Sequence, residues 1–383
     1  MNSKLSNLLK LGAVFVLTAS TAFGARYDRK DRDAQQQERT QGHMVKENQM
    51  MGGYNASARY DVQSPWDFFF TGEFLYWQQK VDGLILGVAT DPRSNAINTG
   101  KPLNGKILNP DFGWHPGVRL SLGMNAEGDD WVLELGWTHL VSHNTTKVGI
   151  KTANLNTHAI LMSRILADDS AFNASTADQT LRNILNIIDL KMGRPFYSGK
   201  DLTLQPHVGF RASWMSNSED REYTMRNTTP VTQGPLKIST TASNWALGPR
   251  FGMDSNWLLG MGVRFFGNVA ASLQYVKYNY KFKELDPNLA IPGANIATIG
   301  SFKDSKGHSQ FRTAADSSLG FGWGTYFDNS NWHVDISLAY DFSVLPGYYP
   351  DLNMPDESEE GYTQIDYRTV AYHGGSFKIR FDF

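Results

Sequence analysis

Apolar and polar side chains alternate along many segments of the chain, most clearly at its C-terminus. Residues 376–383 place apolar side chains on one face and Ser, Lys, Arg and Asp on the other. The apolar set is Phe377, Ile379, Phe381 and Phe383. Because successive side chains of a strand point to opposite faces, this period of two predicts a β-strand. The pattern is typical of a half-buried strand in a soluble protein or of a lipid-facing strand in a barrel.

The same alternation recurs from residue 66 onward between clusters of turn residues. The predicted strands are 67–79, 118–124, 131–138, 202–214, 245–253, 263–280, 319–327, 332–342 and 376–383. With residues 188–192 they give about ten clear strands, and residues 83–90 widen the range to roughly 10–16. Residues 175–188 fit two alternatives, a short loop helix with a capping box or the start of a strand.

The connections between the predicted strands alternate in length. Short polar turns are predicted at 125–130, 194–201, 254–256 and 328–331, and long loops at 91–111, 142–182, 217–241, 281–310 and 344–369. Outer-membrane barrels place short turns in the periplasm and long loops outside the cell. We therefore expect an all-β fold, a transmembrane antiparallel β-barrel of the outer-membrane type, with both termini in the periplasm.

The N-terminus has the features of a secretory signal peptide. Lys4 and Lys10 precede or flank a short apolar run at 11–18, and small residues follow at 20–24. The apolar run is too short to span a bilayer as a helix. The sequence predicts a cleaved signal peptide at 1–24, a flexible polar periplasmic segment at 25–65 and a barrel at 66–383. The expected location is the outer membrane of a Gram-negative bacterium.

The composition agrees with a barrel and narrows the function classes. The chain has 22 Phe, 16 Tyr and 10 Trp, yet its mean hydropathy is negative, as alternation between lipid and a wet lumen requires. A soluble β-sandwich has a similar composition. The net charge of −2 argues against a nucleic-acid partner, and the absence of Cys excludes disulfides.

Charged residues opposite the apolar faces are predicted to line a lumen, because a charge facing lipid costs roughly 2–4 kcal/mol at mid-bilayer. They are Glu73, Arg119, Glu134, Asp189, Lys191, His207, Arg211, Arg250, Asp335, Asp341, Lys378 and Arg380. Two interpretations stay open: a charged constriction, or cross-strand salt bridges that hold a packed lumen. On the first, Arg119, Arg211 and Arg250 form a basic stripe.

Several segments resemble one known family. They are residues 70–78, 114–119, 130–133 with 137–138, 204–211, 248–252 and 378–383, in this order. Together they are similar to the Legionella-type pore-forming outer-membrane proteins, which resemble the chlamydial major outer membrane porins. The resemblance implies passive passage of ions and small hydrophilic solutes. Chlamydial major porins are rich in Cys, so the Cys-free chain is not expected to form their disulfide-linked network.

The sequence therefore predicts a porin for ions and small hydrophilic solutes. The alternative is a non-conducting structural or adhesive barrel whose long loops bind host or matrix. We expect no enzymatic activity, catalytic residues, metal site or cofactor. The expected partners are outer-membrane lipid and the barrel-assembly machinery, which would read the terminal strand with Phe377, Ile379, Phe381 and Phe383. A homotrimer is compatible with the fold class, and no residue pattern demonstrates it.

Overall fold

The computed structural model describes the chain from residue 56 to its end, with gaps. The described residues are 56–60, 62, 67–90, 105–126, 130–149, 160–162, 173–225, 235–285, 298–303, 307–353 and 364–383. They fall within one compact unit, Asn55–Phe383. The predicted signal peptide, and all of the predicted flexible segment except residues 56–60 and 62, lie outside the described residues. So do parts of the predicted long loops.

The described residues form strands and turns. The strands are β1 (Phe68–Val81), β2 (Gly87–Thr90), β3 (Gly105–Leu108), β4 (Trp114–Asn125), β5 (Val132–Gly149), β6 (Ile160–Met162), β7 (Asn173–Gly193), β8 (Phe196–Tyr197), β9 (Leu202–Met225), β10 (Leu236–Gly260), β11 (Val263–Leu285), β12 (Thr298–Lys303), β13 (His308–Phe327), β14 (Trp332–Asn353) and β15 (Gln364–Asp382). Among the described residues, no helix has the length and apolar character needed to cross a membrane.

Ten of these strands close into an antiparallel barrel. The order around the ring is β1, β4, β5, β7, β9, β10, β11, β13, β14 and β15. The ring closes because β15 also pairs with β1, with Glu73 opposite Lys378. The predicted all-β barrel is confirmed, at the low end of the predicted strand number. Residues 83–90 contribute only β2, which pairs with β3 and β6 outside the ring.

The two ends of the barrel differ as predicted. Short connections at 126–131, 194–201, 261–262 and 328–331 lie at the end that also holds Phe68 and Asp382. We call this the turn end, and the opposite end, with the long connections, the loop end. The turn predicted at 254–256 is wrong, because β10 continues to Gly260 through ladders with β9 and β11. Asp, Ser and Asn are common turn residues, but here they lie in a paired strand.

The structure also resolves the alternatives for residues 175–188. They belong to β7, which pairs with β5 on one side and with β9 on the other. The helix alternative is wrong because both neighbouring strands bond the backbone of this segment. Residues of the predicted long loops also extend strands: β9 has 24 residues and β10 has 25. A tilted strand needs only about 9–11 residues to cross a bilayer, so the extra length lies toward the loop end.

The outer surface of the barrel is an apolar band. Side chains pointing outward are large and exposed, such as Phe210 at 58% and Leu338 at 65%, while their chain neighbours point inward. Phe377 and Phe381 of the terminal strand belong to the same exposed face. The pairing of β15 with β1 extends one residue beyond the end of β15, because the Phe383 N–H donates to the Phe68 carbonyl at 2.9 Å.

Candidate functional site in the barrel lumen

A polar cavity of about 280 Å³ lies inside the barrel, toward the turn end. All the charged residues predicted from alternation lie along its wall: Glu73, Arg119, Glu134, Asp189, Lys191, His207, Arg211, Arg250, Asp335, Asp341, Lys378 and Arg380. We call this cavity the vestibule. Alternation places these side chains together because every barrel strand turns the same parity of residues inward. Their role in conduction stays a prediction.

Two arginines share two carboxylates on one side of the vestibule. The Arg211 guanidinium donates to both oxygens of Asp189 at 2.6 and 2.7 Å and lies 2.7 Å from Asp316. Arg250 donates to Asp316 and lies 3.9 Å from Asp189. Such charge-assisted, partly bidentate bonds fix the planes of both groups. This cluster joins β7, β9, β10 and β13 across the inner wall.

Further ion pairs continue the network around the wall. Lys191 Nζ lies 3.1 Å from Glu134 and 2.9 Å from Asp254. The opposite side has Arg119, whose Nη1 donates to Glu73 at 2.7 Å. The second acidic neighbour of Arg119 is Asp341, at 3.9 Å. Some of these pairs connect strands that are far apart in the sequence. The alternation within a single strand shows which residues face inward, but it does not show which of them pair.

The most buried pair in the vestibule joins Arg264 of β11 to Asp335 of β14. The contact is bidentate, with Arg264 Nη2 donating to Asp335 Oδ1 at 2.8 Å and Nη1 to Oδ2. The pair crosses over β13, where Gly322 leaves space: a Cβ there would lie 2.7 Å from the Arg264 guanidinium. The Gly-rich segment 320–324 thus alternates outward aromatic residues with inward glycines, of which Gly322 and Gly324 make room for the side chains of Arg264, His333 and Asp335.

Part of the predicted N-terminal segment contacts the turn end of the vestibule. The Tyr60 ring stacks on His333 with the ring centroids 4.2 Å apart, and the Arg380 guanidinium lies 5.1 Å from the Tyr60 centroid. His333 Nδ1 is 2.8 Å from Asp382. Nearby, Lys378 Nζ lies 5.3 Å from the centre of the Phe266 ring. Residues before the first barrel strand therefore line part of the vestibule wall.

The charges that line the vestibule balance. The basic set is Arg119, Lys191, Arg211, Arg250, Arg264, Lys378 and Arg380, and the acidic set is Glu73, Glu134, Asp189, Asp254, Asp316, Asp335 and Asp341. Each arginine of the predicted basic stripe lies against at least one carboxylate. Arg211 and Arg250 share their carboxylates on one side of the vestibule, and Arg119 pairs with Glu73 on the opposite side.

Sequence reasoning missed three charged residues of this wall. Arg264 lies between Val263 and Phe265, an alternation that points it inward and was available in the sequence. Asp254 lies in the segment interpreted as a turn. Asp316 precedes the predicted start of its strand at residue 319, because the small residues around it give no apolar alternation. Asp254 and Asp316 were therefore missed because the ends of their strands were predicted wrongly, and not because their side chains were assigned to the wrong face.

The interior toward the loop end contains two clusters of buried apolar side chains. The first cluster has side chains from many strands: Leu75, Trp77, Val81, Leu84, Leu140, Leu181, Leu185, Ile187, Met215, Ala246, Val276, Tyr278, Ala314, Leu345, Tyr348, Tyr349, Val370 and Tyr372. A second buried cluster includes Leu86, Tyr223 and Phe282, and Ala89 of β2 packs against it. We call this half the apolar half after its two clusters, although it also buries Gln79, the hydrogen-bonded Asn183 and Asn217, and the Glu219–Arg221 ion pair.

A bulge of β14 lies inside this apolar half. Between the pairs Leu345–Val370 and Tyr349–Arg368, β14 contains two more residues than β15. The bulge reaches other strands: Asn244 Nδ2 donates to the Tyr348 carbonyl and the Tyr278 hydroxyl to the Gly347 carbonyl, both at 2.7 Å. The Tyr349 hydroxyl donates to Glu219, also at 2.7 Å. We call residues 345–349 the lumen bulge.

Gly347 is the residue that allows this course of the backbone. Its φ of 77° lies in the left-handed region, which is unfavourable for residues other than glycine. A Cβ at this position would also lie 2.7 Å from the Arg312 guanidinium. The loop predicted at 344–369 is wrong at this residue, which lies within β14, because the bulge interrupts the alternation of apolar and polar side chains.

The closed antiparallel ring, the apolar outer band and the charged interior together define an outer-membrane β-barrel. Residues 58–345 match the family model described as Legionella pneumophila major outer membrane protein precursor. The chain belongs to this family, as its motifs indicated, and is therefore an outer-membrane protein. A comparison with curated protein sequences finds no match.

Solved structures give weaker likenesses. The TodX deltaS2S3 mutant monoaromatic hydrocarbon channel is 7% identical, with 83% of this chain and 91% of that chain covered and a TM-score of 0.28. The Ralstonia pickettii toluene transporter TbuX is 9% identical, with 87% and 98% covered and a TM-score of 0.27. Superpositions this poor support no argument about substrate or mechanism.

Proposed function

We propose that the protein is a channel that lets ions and small hydrophilic solutes cross the outer membrane passively. The observation that carries this proposal is the vestibule, a charged and polar cavity enclosed by a barrel whose outer face is apolar. Conduction requires a wet, polar pathway and groups that replace water around an ion. The paired arginines and carboxylates supply both signs of charge along the wall.

The lumen bulge is the barrier on this route. Its tyrosines Tyr348 and Tyr349 are buried within the apolar cluster, and in our proposal they separate the vestibule from the loop end. Apolar constrictions obstruct ions because a dehydrated ion finds no partner in them. Passage in our proposal therefore requires residues 345–349 to move toward the barrel wall. Three hydrogen bonds from Asn244, Tyr278 and Tyr349 hold the closed arrangement.

The apolar packing also favours a second candidate, a barrel that does not conduct. In that case the vestibule charges stabilise the wall, and the protein acts as a structural or adhesive surface barrel through its long loops. The observation in favour is the extent of the two buried clusters, one that includes Leu75 and another that includes Leu86 and Tyr223. The two candidates differ in whether the bulge ever leaves the lumen.

We also propose how the protein is exported and how its barrel is assembled. We expect the terminal strand with Phe377, Ile379, Phe381 and Phe383 to be the segment that the barrel-assembly machinery reads, and residues 1–24 to be removed on export. A homotrimer would require a face between copies.

Single-channel recording of the purified, detergent-folded protein in a planar bilayer tests the function. Stepwise openings, together with swelling of vesicles in small sugars, are expected from a channel for hydrophilic solutes. A folded barrel, recognised by its heat-modifiable migration on a gel, that never conducts over a wide voltage range would contradict the channel and favour the closed barrel.

A further inference from the structure

The hairpin that joins β10 to β11 ends in an apolar tip at the turn end of the barrel. Residues 258–263, which we call the apolar tip, are Leu, Leu, Gly, Met, Gly and Val. Met261 is 97% exposed and Leu259 is 62% exposed. Single exposed apolar residues are common on proteins. A continuous exposed group of them at a turn usually marks a contact surface.

The other short connections at this end are different in character. Residues 126–131 include Glu127, Asp129 and Asp130, residues 194–201 include Lys200, and residues 328–331 are Asp, Asn, Ser and Asn. Two of these connections also expose an aromatic residue, Trp131 or Tyr197, but each of the three contains charged or amide side chains, as expected of turns in water. The apolar tip contains no charged and no hydrogen-bonding side chain. The four turns therefore do not share one environment.

The backbone holds the apolar tip in a fixed, outward position. Gly260, Met261 and Gly262 have φ values of 96°, 53° and 79°, so a methionine occupies the left-handed region between two glycines. This conformation is unfavourable for a residue with a side chain. Backbone bonds hold both sides of the hairpin, from the Leu258 N–H to the Asp201 carbonyl at 2.7 Å and from the Gly324 N–H to the Gly262 carbonyl at 3.0 Å.

The apolar tip continues the lipid-facing band without a break. Trp257 stacks on Phe265 with the centroids 5.6 Å apart, and Phe265 contacts Phe321 at 5.2 Å. Both strands point Trp257, Leu259 and Phe265 to the outside of the barrel. Trp and neighbouring apolar residues at this level are typical of the boundary between headgroups and acyl chains. The surface next to the tip is therefore already a lipid contact.

We infer that the apolar tip is a membrane anchor that inserts into the lipid leaflet at the turn end. Its occupant is lipid because the tip extends the apolar band that the membrane covers, through Trp257 and Phe265. The anchor would fix the depth of β10 and β11 in the bilayer, while the three polar turns extend into water.

The absence of Cys in the chain allows a direct test with single-cysteine variants. Met261→Cys and Leu259→Cys report on the apolar tip, and Lys200→Cys is a matched control in an exposed polar turn of the same end. Each variant is labelled with the environment-sensitive fluorophore NBD and folded into lipid nanodiscs, where both leaflets are accessible. Heat-modifiable gel migration confirms that each barrel has folded.

The inference predicts that NBD at 261 and 259 emits at shorter wavelength than NBD at 200. Brominated acyl chains should quench the tip probes several-fold more than the control probe, and aqueous iodide should show the reverse order. Equal iodide quenching at all three sites would overturn the anchor. Protection from iodide without quenching by brominated lipid would overturn it too, because it would indicate a protein contact.

Discussion

The two halves of the barrel interior contrast sharply although the same strands build both. Toward the turn end, inward positions of β9 include Arg211, which pairs with Asp189 and Asp316. Toward the loop end, the same face of β9 turns Met215 and Tyr223 into buried apolar clusters, and it buries Asn217, Glu219 and Arg221 between them. Alternation decides which residues face inward, but it does not decide whether the interior is wet. The composition of the inward set decides that.

This contrast assigns different physical roles to the two halves. In the vestibule, fixed charges of both signs hold the wall together through ion pairs, and in the proposed channel the same charges would contact polar solutes. In the apolar half, burial and close packing stabilise the barrel, and in the proposed channel this packing is the barrier to ions. A channel therefore needs the first half to conduct and the second half to open, and the lumen bulge lies within the second.

The largest effect should come from breaking the buried ion pair in the vestibule. The side chains of Arg264 and Asp335 are only 9% and 1% exposed. Asp335→Asn would leave the guanidinium buried without its charge partner, which costs about 3–5 kcal/mol. We expect a loss of this size in the free energy of unfolding, measured by urea titration from lipid vesicles.

The matched control is an exposed ion pair at the loop end. Lys147 Nζ lies 3.3 Å from Asp178, and these side chains are 72% and 41% exposed. Asp178→Asn should change the free energy of unfolding by less than about 1 kcal/mol, since water screens exposed pairs. Equal effects of the two substitutions would show that the vestibule pairs are as solvated as the surface and would remove the contrast.

The second prediction compares truncations in the two halves. Leu185→Ala removes a side chain from the packed cluster, where it is 1% exposed, and should cost about 2–5 kcal/mol of unfolding free energy because it leaves a cavity. Ser318→Ala removes a hydroxyl from the vestibule wall and should cost under about 1.5 kcal/mol. Similar losses at both positions would mean that the vestibule is packed like the apolar half.

The smallest effect concerns ion selectivity. Replacing Arg119, Arg211 and Arg250 together by Gln should move the reversal potential in a salt gradient toward that of a cation-selective pore, because their carboxylate partners remain. The matched variant, with Glu73, Asp189 and Asp316 replaced by Gln, Asn and Asn, should move it in the opposite direction. An unchanged reversal potential in both variants would exclude these residues from the conduction path.

The sequence predicted the barrel and the facing of its residues well, because both depend on a local period of two. Glu73, Arg119 and Arg211 were placed inward from alternation alone, and the structure has them inward. The family of the protein was also recognisable, because several short motifs occur along the chain in the order that is typical of this family. The lipid-facing band follows from the same alternation, because the outward positions of the strands are large and apolar.

The omissions depend on long-range contacts. The Arg264–Asp335 pair crosses β13, and nothing local links residues that far apart in the chain. The lumen bulge was invisible because two extra residues in β14 interrupt its alternation, so the segment resembled a loop. The predicted turn at 254–256 failed for a related reason: pairing with β9 and β11 overrides the preference of Asp, Ser and Asn for turns.

The most direct test of the central claim removes the two extra residues of the lumen bulge. Deletion of Gly347 and Tyr348 should let β14 pair regularly with β15 and withdraw the bulge from the lumen. Single-channel recording of the folded deletion variant beside the wild-type barrel is the measurement. We predict larger or more frequent openings, several-fold above the wild type at the same voltage. A folded deletion variant that conducts no better than the wild type would contradict the bulge as the barrier of a channel.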